Sequence, residues 1–415
     1  MALVALAGSE TRKAILQRQK KRRSSHPRPD YMSSAWAQLY LSPESEEYIM
    51  TTKPELFRMR FRLTGECFEQ LLGYIEDDRA EYFSGFGRAD AAGRPGVPID
   101  LLLLGALRYL GRHCHFDDLQ EATKVDKETH RRFFVRLCYW GRTRLFRKFC
   151  SPPSTNEEIS NITKIYAAAG FPGCMGSFDV THIPLQALSV NLVSQYKNGK
   201  HDYPTKAFQV VVDHTSKVLS VCPGMPGTYN DKTIDKTIVK YDDFVTSLRT
   251  NPLFRDYKWP RYDGTGRVCE DRGVYCIVDG GYTQQPHMMS AFHSTSDDNQ
   301  AAWGQMLGSL RKDVECFFGR LKKRFTIFHD GIRVHDVDRL DDIFFFCCAL
   351  HNWLHSVDGL DENWELGWTQ EVRYFVRLYL YLTCAANGRY RRGLGSGQHT
   401  MAEELIVGHG SVCWG

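Results

Sequence analysis

Apolar positions recur along this chain with two different periods, and the change between them divides it. Phe57, Phe61, Phe68, Leu71 and Leu72 fall at helical spacings. The Gly- and Pro-rich stretch Gly85–Pro98 predicts a loop. Ile99–Leu110 follows as an apolar helix with Asp100 in its first turn. His115–Thr123 and Lys127–Trp140 predict two further helices around a short Lys124–Asp126 turn, a spacing compatible with helix-turn-helix. From residue 151 the runs shorten. Cys174–Pro184, Ala207–Asp213, Val218–Val221 and Tyr275–Val278 predict strands, the second and third close enough for a hairpin. Helical patterns return near 300–325 and 336–355. Strands followed by helices suit an α/β layer architecture.

Composition narrows the class. At 42% hydrophobic and 25% charged, most of the 415 residues suit a globular fold. No run of 18 apolar residues occurs, and the opening Met1–Gly8 lacks the features of a signal peptide, so a soluble intracellular protein without membrane partners is expected. The 13 cysteines are scattered without a Cys-x-x-Cys pair, which argues against a disulfide framework or a zinc ribbon. Net charge is +4, but residues 1–30 alone carry eight basic and two acidic side chains, so the rest of the chain nets −2. Any nucleic-acid contact by the body must use local patches. Four regions follow: a basic, disordered tail (1–45), a helical segment suited to DNA contact (46–150), an α/β segment (151–355) and an extension without a motif (356–415). The block Arg18–Arg23 resembles a nuclear import signal, and Arg131, Arg132 and Arg136 supply a basic helix face.

Three acids occupy places where acids are costly. Asp179 and Asp279 end apolar strands, and Glu315 lies in the helix near 301–324. A carboxylate at the end of a buried strand loses hydration unless it is paired or binds metal. Clustered carboxylates raise one another's pKa unless a cation neutralises them. Mg²⁺ suits that task because it prefers carboxylate oxygens and keeps open positions. On a helical wheel, Leu310, Val314, Phe317, Phe318, Leu321 and Phe325 form a stripe roughly 100° wide, with Glu315 roughly 60° beyond its edge. Arg311 and Lys322 share its row, and Gly308 and Gly319 line its other side. The ordinary alternative is a surface Glu paired with Arg311.

The surrounding segments decide between these readings. GSFDVTHIPL (176–185), YPTKAFQVVVDH (203–214), PGMPGTYNDKTI (223–234), IVDGGYTQQPHM (277–288), VECFFGRLKKRF (314–325) and CCALHNWLH (347–355) together resemble the transposases of PIF/Harbinger elements. The resemblance implies an RNase H-like catalytic core, which the helical region suited to DNA contact would precede. It maps a DDE triad onto Asp179, Asp279 and Glu315, with 35 residues between the last two. Two Mg²⁺ or Mn²⁺ ions held by the triad would activate water for attack on DNA and stabilise the leaving 3′ oxygen. Asp231 also matches a family position, as a supporting residue or as a cap of the following helix. Arg311 and Lys322 would contact phosphates beside the site. The resemblance further implies a Myb-like accessory partner; the import-like block points to the nucleus, and several copies are expected to assemble on DNA. A domesticated DNA-binding protein that keeps the fold is the main alternative. His351 and His355 lack the zinc-protease Glu, and His113, Cys114 and His115 lack a partner Cys pair, so both groups are read as structural.

Overall fold

The computed structural model describes residues 28–43, 53–228 and 241–358, apart from residues 92, 198, 200, 263–266, 283–284, 293, 295 and 334–335. The basic block Arg18–Arg23, Asp231 and the chain beyond residue 358 lie outside the described residues.

The principal helices are α1 (Pro54–Phe61), α2 (Gly65–Asp77), α3 (Ile99–Arg112), α4 (Phe116–Thr123), α5 (Lys127–Trp140) and α6 (Asn156–Ala168). Strands β1 (Cys174–Pro184), β2 (Thr205–Val212), β3 (Val218–Val221) and the short β4 (Met225–Pro226) follow. After α7 (Asp243–Thr250) come β5 (Lys258–Tyr262), β6 (Val268–Arg272), β7 (Tyr275–Ile277) and β8 (Met288–Met289). Two long helices, α8 (Asp298–Arg324) and α9 (Arg339–Val357), complete the described chain. The strands predicted at Cys174–Pro184 and Val218–Val221 are present with those bounds.

The main sheet runs β3-β2-β1-β7-β8, with β4 on β2, and β5 and β6 form a separate hairpin. β1 pairs antiparallel with β2 and parallel with β7, so it is central. Central position explains its composition: the first five residues of β1 and all eight of β2 are buried. Alternate side chains feed two cores. Met175, Phe178 and Val211 pack with Phe244, Val245 and Leu248 of α7 on one face. On the other, Tyr275 and Ile277 pack against Leu307 and Leu310 of α8, and Phe208, Val210 and Val212 share a core with α8 and α9. The result is a mixed α/β fold with helices on both sheet faces.

Helix α9 is apolar around its whole circumference, and from Leu340 to His355 only Asp342 is not buried. It lies between the sheet and the helices before residue 150. Phe344 stacks on Phe208 of β2 at 4.1 Å. On the other side α9 meets α5 and the π-helical turn Gly141–Leu145. A Cβ on Gly141 would sit 2.1 Å from the Phe346 ring, so only glycine permits that approach. Asn352 stitches this layer to the sheet edge: its amide donates to the carbonyls of Phe149 and Val218 and its oxygen accepts the Val218 N–H. The Asn of the CCALHNWLH segment therefore has a structural task. One continuous core joins residues of α1, α2, α3 and α5 to α8 and α9.

Candidate active site

Register brings the two strand acids side by side. Ser177 of β1 pairs with Ile277 of β7 in parallel, and each of Asp179 and Asp279 lies two residues beyond that pair. Two residues is one full strand repeat, so Asp179 projects to the face covered by α8, and Asp279 follows the end of β7 close enough for its charge to reach Asp179. Asp179 is still within β1, opposite Val210 of β2, whereas Asp279 has left β7 and is exposed. Its carbonyl accepts the Tyr282 N–H at 3.1 Å, and the Tyr282 ring packs edge-on against Phe178, which fixes the turn after β7.

Helix α8 delivers the third acid and a cation. Arg311 Nη1 lies 3.0 Å from Asp179 Oδ2, and Nη2 lies 2.7 Å from Glu315 Oε1. One guanidinium thus bridges the first and third acids. Burial pushes the Asp179 carboxyl above its ordinary range. The Val180 N–H, donating at 2.8 Å, and Arg311 oppose that shift, while the charges of Asp279 and Glu315 reinforce it. Asp179 therefore feels both other acids, which is the electrostatic mark of a cluster that favours a cation. Among the described residues, no three His, Cys, Asp or Glu side chains are grouped closely enough to hold a metal ion, and Arg311 pairs with both Asp179 and Glu315. The all-oxygen donor set, the raised carboxyl and a cation already held there fit a hard divalent ion.

The other sequence-selected residues divide. Lys322 reaches β1 rather than solvent: its amine donates to the His182 carbonyl at 3.4 Å, and burial lowers its pKa. Gly308 and Gly319 face open space, since a Cβ at either would meet nothing within 4 Å. Arg131 forms a two-pronged pair with Glu128 at 2.7 and 2.6 Å, and Arg132 and Arg136 are exposed on α5. Helix α5 packs on α3, α4 and α9, none of which carries an acid of the cluster. The structure does not bring that basic face to the acids. His351 is buried against Ser216, with Nε2 3.1 Å from its carbonyl, and burial pushes its pKa down to about 3. His355 stacks on it at 5.6 Å.

Sequence reasoning missed the Asp179–Arg311 contact, which crosses 132 positions, and a second ion pair nearby. Lys206 of β2 reaches Asp341 of α9 at 2.7 Å, both nearly inaccessible, and donates to the Val337 carbonyl. A lysine inside a largely apolar strand was the available signal.

The family described as plant transposon protein matches residues 148–359, which span every element of the acidic cluster. The chain belongs to that family. This transposon-family protein is also similar to "Protein ALP1-like" from Arabidopsis thaliana, at 23% identity over 304 residues, covering 73% of this chain and 71% of the relative. It is a Harbinger-type, transposase-related protein. No solved structure matches it. No helix among the described residues is long and apolar enough to cross a membrane.

Proposed function

We propose that the acidic end of the sheet is the cleavage centre of a DDE-type DNA endonuclease and transposase with an RNase H-like core. The observation that carries this reading is the convergence on Asp179 of two further acids, Asp279 from the parallel neighbour strand and Glu315 from the helix above. Three antiparallel strands continued by two parallel ones, with the acids on the central pair, support the RNase H-like assignment. Asp179, Asp279 and Glu315 hold Mg²⁺ or Mn²⁺, which supplies Lewis acidity to the phosphodiester during hydrolysis and the later strand transfer.

The chain's own residues do the positioning. Asp179 is set by its strand register and by the Val180 N–H, so its carboxylate faces α8 without rearrangement. Arg311 offsets the charge of Asp179 and Glu315 and offers a guanidinium whose fork would suit a DNA phosphate beside them. The open surface at Gly308 and Gly319 leaves a path for the strand. Asp231 supports the site, and Lys322 holds the end of β1 rather than a phosphate. Arg131, Arg132 and Arg136 contact DNA away from the cleavage point. The protein acts in the nucleus, several copies together on DNA and aided by a Myb-like partner.

Asp279→Asn tests the centre. It keeps shape and removes charge, so Mg²⁺-dependent cleavage should vanish while melting temperature and DNA affinity stay near wild type. Undiminished cleavage sinks the assignment. The Arg311 bridge also favours a second reading, a domesticated protein that binds DNA with its acids permanently neutralised. Wild type that binds DNA but never cleaves it, with Mg²⁺ or Mn²⁺, would establish that reading.

A further inference from the structure

Helix α8 carries a second charged surface that the cleavage reading does not use. Arg320 and Arg324 lie roughly 140° and 180° around the helix from Glu315, beyond the far edge of the apolar stripe. Together with Lys323 they line a cavity of about 550 Å³ whose other walls are Glu55, Arg58, Met59 and Arg62 around α1, and His351 and His355 of α9. That volume lies within the roughly 300–1,000 Å³ of small-ligand sites.

The charge of this cavity is one-sided. Five cations line it against a single acid, Glu55, among the described residues. Asp358 stands beside it and is shared by Arg58 at 2.8 Å and Arg324 at 3.4 Å. Asp313 lies close enough to Arg320 to feel its charge. Arg62 is anchored by two hydrogen bonds to the Gly111 carbonyl. Arg324 is the informative residue. Its Nη1 is buried and has no hydrogen-bond partner. Burial lowers its pKa, Asp358 opposes that shift, and the neighbouring Arg58 adds to it. Asp358 answers one end of the guanidinium, while the unused Nη1 donor and the surplus of positive charge along the lining favour a further anion. Arginine forks match the geometry of phosphate oxygens, and the exposed Lys323 adds a point charge at the rim. The neutral imidazole of His351 closes the floor without adding charge.

We propose that this cavity binds a phosphate group through Arg320, Lys323 and Arg324, at a site separate from the acidic cluster. The phosphate comes either from the DNA backbone or from a free phosphorylated compound. The site does not require the cleavage reading to be right, because its test involves no cleavage.

The test uses the full chain without added metal. Thermal melting is followed against sodium pyrophosphate, with sodium chloride matched for ionic strength. Affinity for a short duplex is measured in parallel by fluorescence anisotropy over a salt series. Wild type should melt several degrees higher with pyrophosphate. Arg320→Gln and Lys323→Gln should each weaken pyrophosphate binding by about 10- to 100-fold. These two are chosen because Arg324 is too buried to replace safely. If each variant also lowers the DNA salt slope by about one unit, the phosphate belongs to DNA. If pyrophosphate binding falls and the slope does not, it belongs to a free compound. Either result supports the site. No melting shift in wild type, or equal shifts in wild type and both variants, overturns it. Asp279→Asn should respond to pyrophosphate like wild type, which separates this proposal from the fate of the cleavage centre.

Discussion

Two cation–carboxylate sites lie on the same face of the sheet, yet they are built for different tasks. The Lys206–Asp341 pair is sealed: the side chains are 3% and 11% exposed. Both partners also bond to backbone, Lys206 to the Val337 carbonyl and Asp341 from the Gly224 N–H, and Asp338 lies 4.0 Å from the same amine. The Arg311 site is open: Arg311, Asp179 and Glu315 are 20%, 26% and 48% exposed, and an exposed third acid stands at the end of the neighbouring strand. A sealed pair has no room for a substrate and can only hold β2 to α9. An open one keeps exchangeable partners. Burial and completed bonding, rather than the presence of charge in a motif, separate structural from chemical acids here.

The largest effect should come from breaking the sealed pair. Lys206→Met leaves Asp341 buried without its cation and should cost about 3–5 kcal/mol in urea unfolding. Adding Asp341→Leu should recover most of that loss. A single-variant cost below about 1 kcal/mol would erase the contrast.

Asp313 sharpens it from another side. This acid of α8 is buried, its Oδ2 has no hydrogen-bond partner, and burial raises its pKa well above the ordinary value, with Asp213 adding to the rise. In the interval between the unfolded and the raised folded pKa the native state holds the extra proton, so stability falls as pH rises through it. Asp313→Asn should therefore gain stability relative to wild type as pH rises, by about 1–3 kcal/mol at the alkaline end of a melting series. A difference independent of pH would contradict this.

Gly319 probes the open site's surface. Gly319→Ala should stabilise the helix by about 1 kcal/mol, because propensity favours Ala and the Cβ meets open space. Gly319→Leu should stay folded yet lose Mg²⁺-dependent cleavage. Wild-type cleavage by that variant would mean that DNA passes elsewhere.

The smallest stability effect should be that of Arg311→Gln, under about 1 kcal/mol in the same urea assay, since partly exposed pairs contribute little. A loss as large as that of Lys206→Met would place Arg311 with the structural cations.

Much of the fold was legible where local chemistry is strong. Apolar runs bounded by Gly and Pro gave β1 and β3 their limits. The β5–β6 hairpin escaped because Lys258–Tyr262 and Val268–Arg272 are charged, mostly exposed and include Pro260. Helix α6 was missed although Thr155 and Glu158 form a capping box that the Thr-x-x-Glu spacing signals. At the site, helical spacing placed Arg311 beside Glu315. Nothing local could place it on Asp179, because that contact depends on how α8 crosses the sheet. The same holds for Lys206 and Asp341, and for the arginines that α8 turns toward α1. Periodicity reports which side of an element is buried, not what faces it.

In the proposed centre, Asp179, Asp279 and Glu315 form a divalent-metal site whose place Arg311 holds. Mn²⁺ uptake by the full chain, read from the loss of the free-ion electron paramagnetic resonance signal, decides whether they do. Wild type should bind Mn²⁺, Asp179→Asn and Glu315→Gln should bind at least tenfold more weakly, and Arg311→Gln should bind more tightly than wild type. Equal uptake by all four proteins, or no uptake by wild type and Arg311→Gln alike, would contradict it.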